Sequence, residues 1–175
     1  MPYTEFLKST VLLMAAEATA LAAVTVVAAS ARDDTTTIVF AVAWWTVAAI
    51  LGAWLGRRDE TTTAIGRLLG QARSSNTLPE IRPVAVMLNR LWLVPLSTVL
   101  AAGLSWRFPQ VSAVVAGGAI LIALAWRKQE RAVKAIEGRD GVRFYVVPSS
   151  PFGAIELVRT PGLRRLTGVN GAGAP

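Results

Sequence analysis

Neither cysteine nor histidine occurs in the 175 residues of the chain. Their absence removes disulfides, thiol nucleophiles, Cys/His zinc sites and histidine general bases together. A Walker loop, a dinucleotide fingerprint, a nucleophile elbow, an HExxH pair and a paired-carboxylate site are also missing. Gly66-Arg67-Leu68-Leu69-Gly70 is not a phosphate loop, because no strand is expected before it and no Lys-Ser/Thr follows it. The acids Asp59, Glu60 and Asp140, which a lipid-modifying enzyme would need, stand beside basic residues and read as solvated interface charges. The sequence therefore points away from an enzyme, and no cofactor or metal is expected.

Charge is missing from long stretches as well. The run from 38 to 56 (IVFAVAWWTVAAILGAWLG) has no ionisable side chain and no polar face. As a helix it would extend roughly 28 Å, close to the thickness of a bilayer's hydrocarbon core. Hydrophobic residues make up 53% of the chain, and its mean hydropathy is +0.48. Both suit a small polytopic membrane protein better than a soluble domain. The expected fold class is an all-α membrane protein, a four-transmembrane-helix bundle made of two helical hairpins. A short cytoplasmic amphipathic helix and a small C-terminal β-hairpin complete it.

The expected spans are 9–31, 38–56, 91–106 and 111–126, within a membrane domain covering 1–137. Met1 to Lys8 forms a short amphipathic start. The first run also invites a signal-peptide reading, since Ala29-Ser30-Ala31 resembles a cleavage site. Its length exceeds the usual apolar core of about 7–15 residues and it contains Glu17, so a retained span is preferred. The third run is short for a span, and Pro95 is placed to kink it. Between the hairpins, 57–90 is cytoplasmic. Within it, Ile65, Leu68, Leu69 and Ala72 recur at helical intervals over 61–73, which suits a helix on the membrane surface. Residues 127–137 read as a charged continuation of the fourth helix, stopped by Gly138. The tail 138–166 contains two expected strands, 142–147 and 155–159, and 167–175 is expected to be flexible.

Of the 18 basic residues, only Arg32 and Arg107 fall outside the cell in an arrangement with both termini cytoplasmic. Trp54, Trp92, Trp106 and Trp126 then lie near span ends, where interfacial aromatics belong. The Ala/Arg/Val-rich, Lys-poor usage suggests a bacterial inner membrane. A net charge of +7 follows from this positive-inside bias, and no aromatic-interleaved basic motif speaks for nucleic acid. The hairpin exits resemble each other (AWLGRRDE and ALAWRKQE), which raises a parallel internal repeat.

Four groups of residues are candidate sites. Glu17 is the one ionisable residue well inside a span; it reads either as a proton or cation site or as a carboxylate satisfied by Thr19, Thr46 or Ser97. Gly52 and Gly56 form a GxxxG, and Gly117 and Gly118 supply a second small-residue face; ordinary helix packing and oligomer contact are the two readings. Arg57, Arg58, Arg127 and Lys128 sit where anionic lipid headgroups would be. Phe144, Tyr145, Ile155 and Leu157 give the hairpin an apolar face that must lean on something: the 61–73 helix, the bilayer or a partner's sheet edge. The functional expectation is a non-catalytic membrane subunit or scaffold that homo-oligomerises or docks a membrane-complex partner through its tail. The alternative is a small oligomeric transporter or channel component that uses Glu17.

Overall fold

The computed structural model describes residues 1–57, 66, 69, 70, 72–74, 87, 89–146 and 157–161. Among these the chain is mostly helical: α1 (Tyr3–Ser30), α2 (Thr35–Leu55), α3 (Leu93–Ser105), α4 (Pro109–Trp126) and α5 (Gln129–Asp140). Three short strands, β1 (Arg73–Ser74), β2 (Val142–Val146) and β3 (Leu157–Pro161), form one sheet. By length and composition, α1, α2 and the continuous run Pro109–Asp140 are each able to cross a membrane. The 13 residues of α3 extend only about 20 Å.

Helix ends differ from the sequence expectation for local reasons. The Asp34 carboxylate accepts hydrogen bonds from the Thr37 amide at 3.0 Å and its hydroxyl at 2.5 Å. That cap starts α2 three residues before Ile38, so Thr35-Thr36-Thr37 is the first turn rather than a loop. These bonds hold the Asp34 carboxyl below its ordinary value of 3.8, the Thr37 hydroxyl contributing most. Asp33, at φ 52°, adopts the left-handed conformation that aspartate tolerates, and so closes the preceding turn. Pro109 occupies the start of α4, where its fixed φ suits a first helical residue. Gly138 does not stop α5. The helix runs to Asp140 and ends at Gly141, whose φ of 63° favours glycine.

Helix α4 is central. It packs extensively on α1 and α2 and also meets α3, whereas α1 and α2 touch each other much less. A parallel repeat would require α2 to meet α3 as α1 meets α4, yet α2 and α3 barely touch. The hairpins suggested by sequence order are thus not the packing units. The interface of α2 is a stripe of Thr37, Ala41, Ala48 and Gly52. Helix α4 meets it and α1 through Ser112, Ala113, Ala116, Gly117, Ala119 and Ala123.

At one end of the bundle lies a second core, here termed the head. Tyr3, Phe6 and Leu7 of the first turns of α1 join Met1, Val133 of α5, Val142, Phe144 and Val146 of β2, and Leu157 of β3. Strand order is β1-β3-β2, with β2 antiparallel and β1 parallel to β3. The Val146 amide donates to the Met1 carbonyl at 2.9 Å, and Pro2 bridges Tyr145. The beginning of the chain therefore covers the outer edge of β2. Helix α1 starts at Tyr3 rather than 9 because Tyr3, Phe6, Leu7 and Thr10 present a buried face to this core. The 61–73 amphipathic helix, Arg58, Ile155 and the 167–175 tail lie outside the described residues, apart from a helical Gly66, Leu69 and Gly70 and the strand residue Arg73.

Candidate functional site

Glu17 lies on the α1 face turned to α3 and is only 6% exposed. Its Oε1 accepts from the Ser97 hydroxyl at 2.8 Å and the Thr98 hydroxyl at 3.1 Å. Both hydroxyls also lie 2.8 Å from the Val94 carbonyl of their own helix. Each hydroxyl has one hydrogen and two acceptors within reach, so the pair can turn toward Glu17 or back to the backbone. Ser97 is one of the three partners the sequence suggested. Thr98 was missed, although adjacent Ser and Thr in the first turns of a helix can both turn back to one carbonyl, here that of Val94 at i−3 and i−4.

Further polar contacts stitch the bundle. The hydroxyls of Thr25 and Ser112, both fully buried, lie 2.8 Å apart between α1 and α4. Trp44 and Trp45 of α2 donate their indole N–H groups to successive α4 carbonyls, Val114 at 3.1 Å and Ala113 at 2.9 Å. Their depth within the 38–56 run makes packing between helices or against lipid the sequence expectation, and the bonds to α4 select the first. The Gln110 side-chain amide donates to the Thr37 hydroxyl at 3.0 Å, tying the start of α4 to the cap of α2. Near the same end, Arg32 donates to the carbonyls of Ala28 and Trp106 and so bridges the ends of α1 and α3.

The small-residue positions separate by geometry. A Cβ at Gly52 would lie 2.7 Å from the Leu121 carbonyl oxygen, and one at Gly56 would lie 2.8 Å from that of Leu124. Both glycines thus let α2 approach the α4 backbone within one protomer. A Cβ at Gly117 would collide with the Trp44 indole, whereas one at Gly118 would meet nothing within 4 Å. Arg57, Arg127 and Lys128 are exposed at the head-side ends of α2 and α4. Phe144, Tyr145 and Leu157 are buried by their own chain. The apolar face expected to dock a partner leans instead on Met1 to Leu7 and α5, because those residues already offer the matching apolar surface.

Among the described residues no three His, Cys, Asp or Glu side chains converge as a metal site would require. Chemically, the bundle offers one carboxylate, a few hydroxyls and backbone carbonyls. The chain matches no protein-family model, no curated protein and no solved structure.

Proposed function

We propose that the chain is a multi-pass inner-membrane protein, and that it acts as a non-catalytic subunit or scaffold whose head is a rigid cytoplasmic docking platform. The observation that carries the membrane reading is the inverted distribution of side-chain size. Alanine, glycine, serine and threonine fill the bundle interior, while Val39, Ile50, Val99 and Leu100 are exposed. In water that surface would drive association; in lipid it costs nothing, and small residues are what close helix packing requires.

The orientation with both termini cytoplasmic is supported by position and charge. Arg32 and Arg107 lie at the end opposite the head, and Arg57, Arg127 and Lys128 sit beside it, suited to anionic headgroups. A cysteine-free chain makes this easy to test. Arg107→Cys should react with a membrane-impermeant maleimide in intact spheroplasts, and Arg139→Cys only after lysis. Reversed labelling would invert the topology, and equal labelling of both would remove the membrane reading.

Docking on the head would use its exposed basic residues, Arg131, Arg139, Arg143 and Arg159, and therefore an acidic partner. Truncating the tail is a poor test, because it would uncover Tyr3, Phe6, Leu7 and Val133. Affinity capture from mild detergent should instead compare the intact chain with Arg143→Glu/Arg159→Glu. A partner lost with the charge reversal supports the subunit reading; a partner-free oligomer in both forms counts against it.

The second reading, a small oligomeric transporter or channel component, rests on the buried Glu17 with Ser97 and Thr98. Enclosure of the carboxylate between α1 and α3 weighs against a path shared between protomers. Glu17→Gln that assembles normally yet abolishes an ion flux in proteoliposomes would favour this reading.

A further inference from the structure

We propose that the groove between α1 and α3, at the end of the bundle away from the head, holds one zwitterionic phospholipid. Its acyl chain would lie along the groove and its phosphodiester on Arg32. The proposal rests on the membrane reading above. The groove has a volume of about 560 Å³ and is lined by Val24, Val27, Ala28 and Ala102, with Arg32 and Trp106 among its lining residues.

Two contacts bracket this stretch of α1 and α3. On one side Glu17 meets Ser97 and Thr98; on the other Arg32 bonds the Trp106 carbonyl. Between them the lining is mostly alanine and valine, whose side chains leave the space unfilled. An apolar space of this size gives water no polar partners, and left empty it forfeits the dispersion contacts of its walls. A lipid chain supplies them.

The head group follows from the charges at that end. The guanidinium of Arg32 commits two of its five N–H donors, one on each terminal nitrogen, to carbonyls, and three donors remain for a phosphodiester. Trp106 is 83% exposed beside it, as an indole at headgroup level would be. Asp33 and Asp34 follow Arg32 directly, and Arg107 follows Trp106, so the local charge balances. A balanced site favours an ammonium-phosphate pair over a purely anionic group, unlike the basic end of the bundle around Arg57, Arg127 and Lys128.

Native mass spectrometry of the full chain in mild detergent tests this, with phosphatidylethanolamine and phosphatidylglycerol supplied in equal amounts. One retained phosphatidylethanolamine per chain is expected. Arg32→Gln should lower its occupancy roughly fivefold, while Arg107→Gln, outside the groove lining, should change it by less than about twofold. Ala102→Phe should abolish retention by filling the groove. Val27→Trp, at an exposed position that tolerates bulk, provides a second filling variant should the first unfold. Retention by both filled variants, preference for phosphatidylglycerol, or equal effects of the two arginine changes would overturn the proposal. A protein that stays in solution without detergent would instead overturn the membrane reading itself. One that needs detergent yet carries no lipid overturns the groove assignment alone.

Discussion

The bundle and the head are built by opposite rules within one chain. In the head, large side chains point inward: Phe6, Leu7, Phe144 and Val146 are nearly inaccessible. In the bundle the large side chains point outward, Val99 being 69% exposed, and the interior is alanine, glycine and hydroxyl groups. The head gains its stability from apolar area withdrawn from water. The bundle, if lipid surrounds it, gains nothing by hiding apolar area, and relies on close backbone approach and interhelical hydrogen bonds. Helix α1 belongs to both regimes. Its first two turns bury Tyr3, Phe6 and Leu7, and its later turns bury Ala18, Thr25 and Ala29.

The largest expected effect comes from truncation inside the head. Phe144→Ala should cost about 3–5 kcal/mol, whereas Phe40→Ala on the exposed face of α2 should stay within about 0.5 kcal/mol. Denaturant titration read by protease sensitivity of the head would measure both. Equal costs would erase the distinction between the regions.

Next in size is Val47→Lys, near the middle of α2 and on its exposed side. In a bilayer it should raise the insertion free energy by about 2.5–3.5 kcal/mol, and in water it should be nearly neutral. A membrane-insertion assay distinguishes the two, and a neutral result would place the bundle outside lipid.

Glycine substitutions sharpen the contrast between close contact and open space. Gly52→Ala should destabilise by about 1–3 kcal/mol, since its Cβ meets the Leu121 backbone. Gly118→Ala should stabilise by about 0.5–1 kcal/mol, because a helical glycine with space around it gains from alanine. Unfolding in mixed detergent micelles reads both signs, and like signs would contradict the α2–α4 geometry.

The smallest effect is the cap of α2. Asp34→Ala should destabilise α2 by less than Phe144→Ala, Val47→Lys or Gly52→Ala affects the protein, through loss of the cap. Because the folded carboxyl titrates below 3.8, its contribution is complete above that value. It fades as pH falls through the lower folded value. Melting curves of wild type and variant should therefore converge only in acid; convergence at neutral pH would remove the cap's role.

Much of the bundle is legible in the amino-acid sequence. The long apolar runs mark all four apolar helices, and the strand pattern locates β2 to within a residue. Glu17 stood out because a carboxylate in an apolar run is costly, and Ser97 was within the set of partners its helix could reach. The misses share one cause. The start of α1 at Tyr3 and the covering of the hairpin by Met1 to Leu7 are not visible in sequence, because each depends on the other across about 140 residues. Likewise Gly117 needed Trp44, 73 positions away, before its lack of a side chain acquired a reason.

Composition and the spacing of charge determined, by themselves, which segments are helical and apolar, since burial of backbone groups in such runs leaves few alternatives. They also fixed the absence of thiol and imidazole chemistry. Tertiary structure alone decided that α4 is the hub, that Met1 and Pro2 cover the edge of β2, and that Glu17 faces α3. Small interior residues carry almost no pairing information in sequence, because any alanine face fits any other. Only the packed chain, through contacts such as Trp44 on Gly117 and Thr25 on Ser112, selects one arrangement.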